Sequence, residues 1–260
     1  MKKSWLLYVF FGVFFYVLFL FIQMPASWFA WGMNHYTSGR VQLDPIAGTL
    51  WHGKGRLVYQ HPPSTSFEFG DMQWRINPLW LLVGSLQLNW QSQKPDTLIN
   101  TTVRMSSGQL ILLETNLVFP AQLSSSLIPA AKLLSPTGQV RLQTDRLAMD
   151  RNNGMSGGGD IQWQTAGSAL SPVRPLGDYR LLISGAGNVA ELKLTTLRGA
   201  LELTGQGQWQ IASGAIRFSG SATPREGISE LEPLLKLMGE NQGGGKRTFS
   251  INGKLPLTIF

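Results

Sequence analysis

The sequence contains no cysteine and few charged residues. The absence of cysteine excludes disulfides, thiolate nucleophiles and thiolate metal ligands, but many exported proteins also lack disulfides, so it does not fix the compartment. Charged residues make up 14% of the chain, against roughly 25% in an average soluble domain, whereas hydrophobic residues make up 43%. This composition argues against a disordered chain and favours a membrane-associated one.

The basic excess is spread along the chain. There are 22 Lys and Arg residues against 15 Asp and Glu residues, and they form no Lys/Arg block of the kind that follows nucleic-acid phosphates. We therefore predict no nucleic-acid partner. Anionic membrane lipid or an acidic protein surface fits this charge better.

Residues 5–22 form an uncharged, strongly hydrophobic run. Together with Gln23 and Met24 the run makes a helix of about 30 Å, which is the thickness of a bilayer core. We predict a transmembrane helix over residues 5–24. Its anchor residues include Trp5, Leu6, Phe10, Phe14, Leu18 and Ile22.

The flanking charges predict how this helix is oriented. Lys2 and Lys3 precede it, whereas the next basic residue is Arg40, so residues 1–4 form a cytoplasmic stub and residues 25–260 a periplasmic domain. The alternative is a cleavable signal peptide with its cleavage site near residues 24–27. The run is longer than a usual signal core, and aromatic residues follow it, so a retained inner-membrane anchor is favoured. A short amphipathic continuation to Tyr36 stays open.

Beyond residue 36 the hydrophobic pattern has a period of two, which is typical of half-buried strands. About a dozen strands are predicted. Short turns containing glycine or asparagine join them, so the sheet is predicted to be largely antiparallel, with one apolar and one polar face. The clearest strand segments lie at residues 56–59, 73–76, 85–90, 140–143, 161–164, 201–204, 216–219 and 249–252.

Helical patterns are few and short. They occur at residues 77–84, 121–134 and 228–238, and they predict small helices that cover part of the sheet. Two glycine runs, residues 157–159 and 243–245, predict loops or hairpin tips. The predicted fold is mainly β: one N-terminal transmembrane helix followed by an extended antiparallel sheet.

Two glycine-rich motifs imitate enzyme signatures. Residues 154–158 match G-x-S-x-G around Ser156, but a strand pattern follows where a hydrolase has a helix, and all three histidines precede the serine. Residues 185–190 match G-x-G-x-x-A, but the next segment alternates like a strand, which predicts a tight hairpin. The histidines show no metal-ligand spacing. We predict no catalytic residue, metal or cofactor, and therefore no enzyme.

Nine tryptophans and a weak internal similarity leave alternatives open. Tryptophans in strands can fill a core, or they can line an apolar groove or exposed edge that receives an acyl chain or another protein's strand. Residues 48–74 and 199–209 both lead from a glycine turn to a tryptophan. This similarity is compatible with a duplicated β unit or with chance.

Several motifs in this order resemble the type II secretion system protein N family (GspN). Pro25 to Trp28 follows the hydrophobic run, then come the segments at residues 46–53, 74–88, 175–179 and 199–209. The segment at residues 46–53 and its tryptophan-containing sequel are also similar to AsmA-type β-rich membrane proteins. The motif residues are Gly48, Leu50, Trp51, Gly53, Trp74, Pro78, Pro175, Leu176, Gly177 and Tyr179.

The resemblance implies a structural role in the export of folded proteins across the outer membrane. Its implied partners are other type II secretion subunits, namely the inner-membrane platform and the secretin-linking subunit, together with membrane lipid. It implies no catalytic residues and no cofactor. The AsmA-like similarity implies an alternative, a lipid-binding or lipid-transfer protein of the cell envelope.

Overall fold

The structure is mainly β, and its thirteen strands follow one another in chain order. It is a computed structural model that describes residues 2–61, 65–94, 97–124, 134–152 and 154–254. Every pairing within its two compact units, residues 1–94 and 95–260, is antiparallel, which confirms the predicted strand arrangement. The division into stub, anchor and exported domain stays a prediction.

The first unit combines two helices with four strands. The helices are α1 (Lys2–Ile22) and α2 (Ser27–Tyr36), and a 3₁₀ helix covers Pro78–Val83. Helix α2 packs Phe29, Ala30 and Met33 against the apolar face of the sheet, around the buried Trp74. The strands are β1 (Val41–Gly48), β2 (His52–His61), β3 (Thr65–Asn77) and β4 (Ser85–Lys94).

Helix α1 contains the predicted anchor run, and the described apolar side chains along it are exposed. Trp5, Phe10, Phe14, Leu18 and Ile22 are each at least 40% exposed. Within the part of the chain that the structure describes, no helix is long and apolar enough to cross a membrane. The predicted transmembrane helix is therefore not confirmed. The amphipathic continuation to Tyr36 does form a helix, α2.

The described part of the second unit contains nine strands and helix α3 (Ile228–Met238). Helix α3 buries Leu231, Leu234 and Leu235 against Leu201 of β11 and Leu176, the residue before β9. The strands are β5 (Thr97–Ser106), β6 (Gln109–Pro120), β7 (Pro136–Asp150), β8 (Gly154–Ser168), β9 (Gly177–Gly187), β10 (Val189–Arg198), β11 (Leu201–Gln210), β12 (Ala215–Pro224) and β13 (Arg247–Lys254).

The strand registers of the second unit confirm one apolar and one polar face. Leu192 of β10 lies opposite Ile183 of β9 and Gly207 of β11, and Gly207 lies opposite Phe218 of β12. Leu192 and Phe218 are buried, whereas the residues between these positions are polar and exposed. The exposed polar residues are Ser184, Glu191, Lys193, Gln206, Gln208, Arg217 and Ser219.

All the strand segments singled out in the sequence lie in strands, and two short helices, at residues 78–83 and 228–238, are confirmed. Of the predicted helix at residues 121–134, Ala121–Leu123 is a 3₁₀ helix and residues 125–133 lie outside the described part. The run 243–245 forms a turn as predicted.

Among the strand tryptophans, Trp74 and Trp209 are buried. Three others, Trp51, Trp90 and Trp163, are partly buried.

The prediction of a hairpin tip at residues 157–159 is wrong, because these glycines lie inside β8. They lie where the β7–β8 register shifts, next to the break between Gln143 and Leu147. A Cβ on Gly157 would come within 2.2 Å of the Arg146 carbonyl oxygen, and one on Gly158 within 2.7 Å of the Ile183 carbonyl oxygen. The glycines therefore permit a bulge and a close approach of the neighbouring strands. A glycine run in the sequence looks the same whether it forms a bulge or a turn.

Candidate functional site

The family-motif residues fall into two clusters, one in each unit. Gly48, Leu50, Trp51 and Gly53 lie at the β1–β2 turn, where Trp74 joins them near the end of β3, and Pro78 begins the adjacent 3₁₀ helix. The second cluster, at the start of β9, contains Pro175, Leu176, Gly177 and Tyr179.

Trp74 is the centre of the first cluster. Its indole N–H donates to the carbonyl oxygen of Leu50 over 3.1 Å, and its ring stacks on Phe29 of α2 with centroids 4.6 Å apart. Gly53 also lies against the ring, and a Cβ there would be 2.4 Å from Trp74 Cζ2. Only a residue without a side chain fits between the indole and the backbone of β1.

Trp51 joins the end of α1 to the sheet. Its indole N–H donates to the carbonyl oxygen of Phe21 over 2.7 Å, and the two rings lie 4.4 Å apart. The Leu50 N–H donates to Met24 O over 2.7 Å, and the Ile76 N–H donates to Trp51 O over 2.6 Å. We call these five residues the Trp51 junction. The motif residues Leu50 and Trp51 therefore hold the α1–α2 connection against the start of β2 and the end of β3.

The 3₁₀ helix that starts at Pro78 is capped at both ends. The Asn77 side chain accepts the N–H of Leu79 over 3.1 Å, and Gly84 ends the helix with a left-handed φ of 69°. Proline at the first position suits a helix start, because its missing N–H would have no partner there. Between these ends the leucine and valine side chains point into solvent, with Leu82 83% exposed.

The second cluster is organised by a buried tyrosine. Tyr179 donates its hydroxyl proton to the carbonyl oxygen of Leu201 over 2.9 Å, while the Leu201 N–H donates to Leu176 O over 3.0 Å. Burial, with a smaller contribution from the neighbouring Asp178 charge, raises the pKa of Tyr179, so the hydroxyl stays protonated and donates. Gly177 leaves room for the Arg198 carbonyl oxygen, which a Cβ would approach to 2.6 Å, and Pro175 is exposed.

The two clusters share a hydrogen-bonding pattern. Gly48 and Gly199, with φ of 103° and 136°, each precede a leucine by two residues. The carbonyl oxygen of that leucine, Leu50 or Leu201, accepts a hydrogen bond from an aromatic side chain. The weak internal similarity in the sequence thus has a local structural counterpart. Duplication of a β unit stays a hypothesis.

Asp178 also belongs to the second cluster, although the sequence analysis did not identify it. Its carboxylate accepts the backbone N–H of Thr165 over 2.7 Å and pairs with the guanidinium of Arg198. Burial disfavours the charged form, but the Thr165 hydrogen bond and the Arg198 interaction outweigh it, so the pKa of Asp178 is lowered. Thr165 holds a left-handed φ of 46°, a conformation that this hydrogen bond stabilises.

Strand β1 of the first unit and strand β13 of the second unit differ in how regular their edges are. Strand β1 contains Pro45 and its register with β2 breaks between Leu43 and Ile46, two features that discourage further pairing. Strand β13 has no proline and pairs with β12 in unbroken register from Arg247 to Lys254. Within the described part of the chain, no other strand pairs with β13, and only its first residue, Arg247, forms an isolated bridge, with Asn241.

The enzyme-like motifs have ordinary strand geometry. Ser156 lies within β8, opposite Ala148 and Ala186, where the hydrolase motif requires a strand-to-helix turn. Residues 185–190 form the β9–β10 hairpin, whose turn is Asn188, as the sequence predicted. The described residues contain no cluster of His, Asp and Glu suited to a metal ion.

A family model described as type II secretion system (T2SS), protein N, matches residues 39–250, which include both motif clusters and most of the sheet. No curated protein and no solved structure matches the chain.

Proposed function

Because the chain belongs to the type II secretion system protein N family, we propose that it is an accessory scaffold, anchored in the inner membrane, whose last strand binds a neighbouring secretion subunit. Family membership makes the chain a component of the secretion system and places it in the cell envelope. Family membership also agrees with the resemblance seen in the sequence. The proposed partners are the inner-membrane platform and the secretin-linking subunit.

The observation that carries this proposal is the contrast between the terminal strands. A regular edge strand offers a row of N–H and C=O groups to which another chain can add a strand. Beyond Arg247, which already bridges Asn241, strand β13 has this character, whereas β1 is interrupted by Pro45 and by its register break. Ile251, 52% exposed on β13, adds an apolar contact to the backbone hydrogen bonds.

The proposed anchor rests on α1. Its run from Trp5 to Ile22 carries no charge, Lys2 and Lys3 precede it, and its described apolar side chains are exposed, although Phe21 contacts Trp51. We propose that this helix lies in the inner membrane with the N-terminus in the cytoplasm and the sheet in the periplasm. The Trp51 junction then holds the sheet close to the membrane surface, beside the platform subunits.

A charge on the edge strand tests the docking function. We expect Ile251→Lys to abolish most secretion of the system's substrates, because a lysine on an edge strand opposes strand addition. The matched control is Leu197→Lys, since Leu197 is 53% exposed but lies on the interior strand β10, and this variant is expected to secrete normally. Equal secretion by both variants, at equal protein levels, would overturn the proposal.

Lipid binding is the second candidate function, favoured by one observation. The buried cluster around Met155, Leu192, Trp209 and Phe218 is formed by residues of strands and turns, and no described helix residue packs on it. Among the described residues, the buried Trp209 indole N–H has no hydrogen-bond partner, which favours donation to a lipid carbonyl. Native mass spectrometry of the detergent-extracted protein tests this candidate: co-purified phospholipid that is lost in Trp209→Phe supports it, and a lipid-free protein opposes it.

A further inference from the structure

The 3₁₀ helix Pro78–Val83 exposes an unusual amount of apolar surface. Leu79, Leu82 and Val83 are 69%, 83% and 68% exposed, and Leu81 is 41% exposed. The segment lies in a stretch of eighteen residues, 76–93, that contains no charged side chain. Contiguous apolar patches on a protein surface usually mark a binding site for a protein or a membrane.

The hydrogen bonds of the Trp51 junction place this helix near the end of α1. A single residue, Trp51, bonds through its indole to Phe21 of α1 and through its carbonyl to the N–H of Ile76. Asn77, the next residue, caps the 3₁₀ helix. The first exposed leucine, Leu79, therefore lies three residues after Ile76, whose backbone N–H donates to Trp51, the residue that holds α1.

We propose that the 3₁₀ helix Pro78–Val83 inserts its apolar side chains into the bilayer that receives α1, so that the first unit meets lipid at two points. This inference rests on the proposed anchorage of α1. The membrane would then restrict the tilt of the sheet relative to α1, which one helix alone does not do.

Lipid fits this segment better than a protein partner for two reasons. The capped ends leave few backbone groups unsatisfied: Asn77 accepts the Leu79 N–H, and the Gly84 N–H donates to Leu81 O. These two hydrogen bonds lower the cost of placing the segment's backbone in hydrocarbon. The exposed Arg75, just before the segment, is suited to an anionic headgroup.

The absence of cysteine allows a direct test on the full-length protein. Single variants Leu82→Cys, Phe14→Cys and Leu237→Cys are labelled with a nitroxide and reconstituted in vesicles of phosphatidylethanolamine and phosphatidylglycerol. Leu237, 60% exposed on α3, is the matched control, and Phe14, 51% exposed, reports on α1 itself. Collision rates with oxygen, which concentrates in lipid, and with a water-soluble nickel chelate are measured for each label.

We expect the oxygen-to-nickel collision ratio at Leu82 to exceed that at Leu237 several-fold and to approach that at Phe14. A Leu82 label as water-accessible as the Leu237 label, with Phe14 in lipid, would overturn this inference and leave the anchor intact. A Phe14 label in water would instead overturn the anchor and this inference with it. A Leu82 label shielded from both reagents would show a protein contact and would also overturn the inference.

Discussion

Replacing Gly53 by alanine tests the packing of the first motif cluster. The new Cβ would lie 2.4 Å from Trp74 Cζ2 and 2.7 Å from the Ala47 carbonyl oxygen, so the indole must leave its present position, in which it stacks on Phe29 and donates to Leu50 O. Overpacking a core costs about 1–3 kcal/mol. Loss of the buried indole hydrogen bond adds about 1 kcal/mol, so we expect the first unit to lose about 2–4 kcal/mol.

Hydrogen exchange of the β2 and β3 backbone amides, measured by mass spectrometry in detergent, reports this loss locally. Since each 1.4 kcal/mol is a tenfold change, exchange through opening of the cluster should be about 30- to 700-fold faster in Gly53→Ala. Gly32→Ala is the matched control, because a Cβ there meets nothing within 4 Å. Gly32 lies inside α2, where alanine stabilises a helix by at most about 1 kcal/mol relative to glycine. The control should therefore leave exchange unchanged or make it slightly slower.

A double-mutant cycle identifies the contact responsible. Trp74→Phe removes the indole atoms that the new methyl group would strike, so Gly53→Ala should cost less in that background, by at least about 1 kcal/mol. If Gly53→Ala leaves exchange unchanged, or if the two substitutions are additive, the packing argument is refuted.

Three further predictions concern single interactions. Tyr179→Phe should lower the stability of the second unit by about 1–2 kcal/mol in urea unfolding, because the buried carbonyl of Leu201 loses its donor. Asp178 has a lowered pKa in the fold, so its contribution is present above its ordinary pKa and is lost as the pH falls through the folded value. The stability of the second unit should therefore fall as the pH drops below the ordinary pKa of an aspartate, and Asp178→Asn should remove this part of the pH dependence in acid-unfolding curves. Asn77→Ala removes a helix cap and should cost about 0.5–2 kcal/mol, measured as faster amide exchange in residues 78–83.

The strands were predictable because their signal is local. In a two-faced sheet the side chains alternate between core and solvent, so the alternation in Leu201–Gln210 appears directly in the sequence. The same reasoning identified the hairpin at Asn188 and the short helix ending at Gly239, where glycine follows an amphipathic run. Glycine alone was ambiguous: at residues 157–159 it permits a bulge, although similar runs form turns.

The sequence identified the residues of the two motif clusters, but it did not predict the contacts that these residues make. Trp51 bonds to Phe21, thirty residues earlier, and Asp178 pairs with Arg198, twenty residues later, and no periodicity predicts such contacts. The exposure of Leu82 was also hidden, since a leucine-rich segment between strands suggests a buried turn. Which strand ends the sheet with a regular edge depends on pairing, and the sequence pattern of β13 is the same as that of an interior strand.

The central claim is that β13 is the docking edge for another secretion subunit, and photocrosslinking in cells measures it most directly. A photoreactive residue is placed at Ser250 on β13 or, as control, at Gln208 on the interior strand β11; both are exposed on the polar face. The account predicts a discrete crosslink from position 250 to one subunit of the type II secretion system, and none from position 208. Identical crosslinking patterns at the two positions, or no secretion subunit captured from position 250, would contradict it.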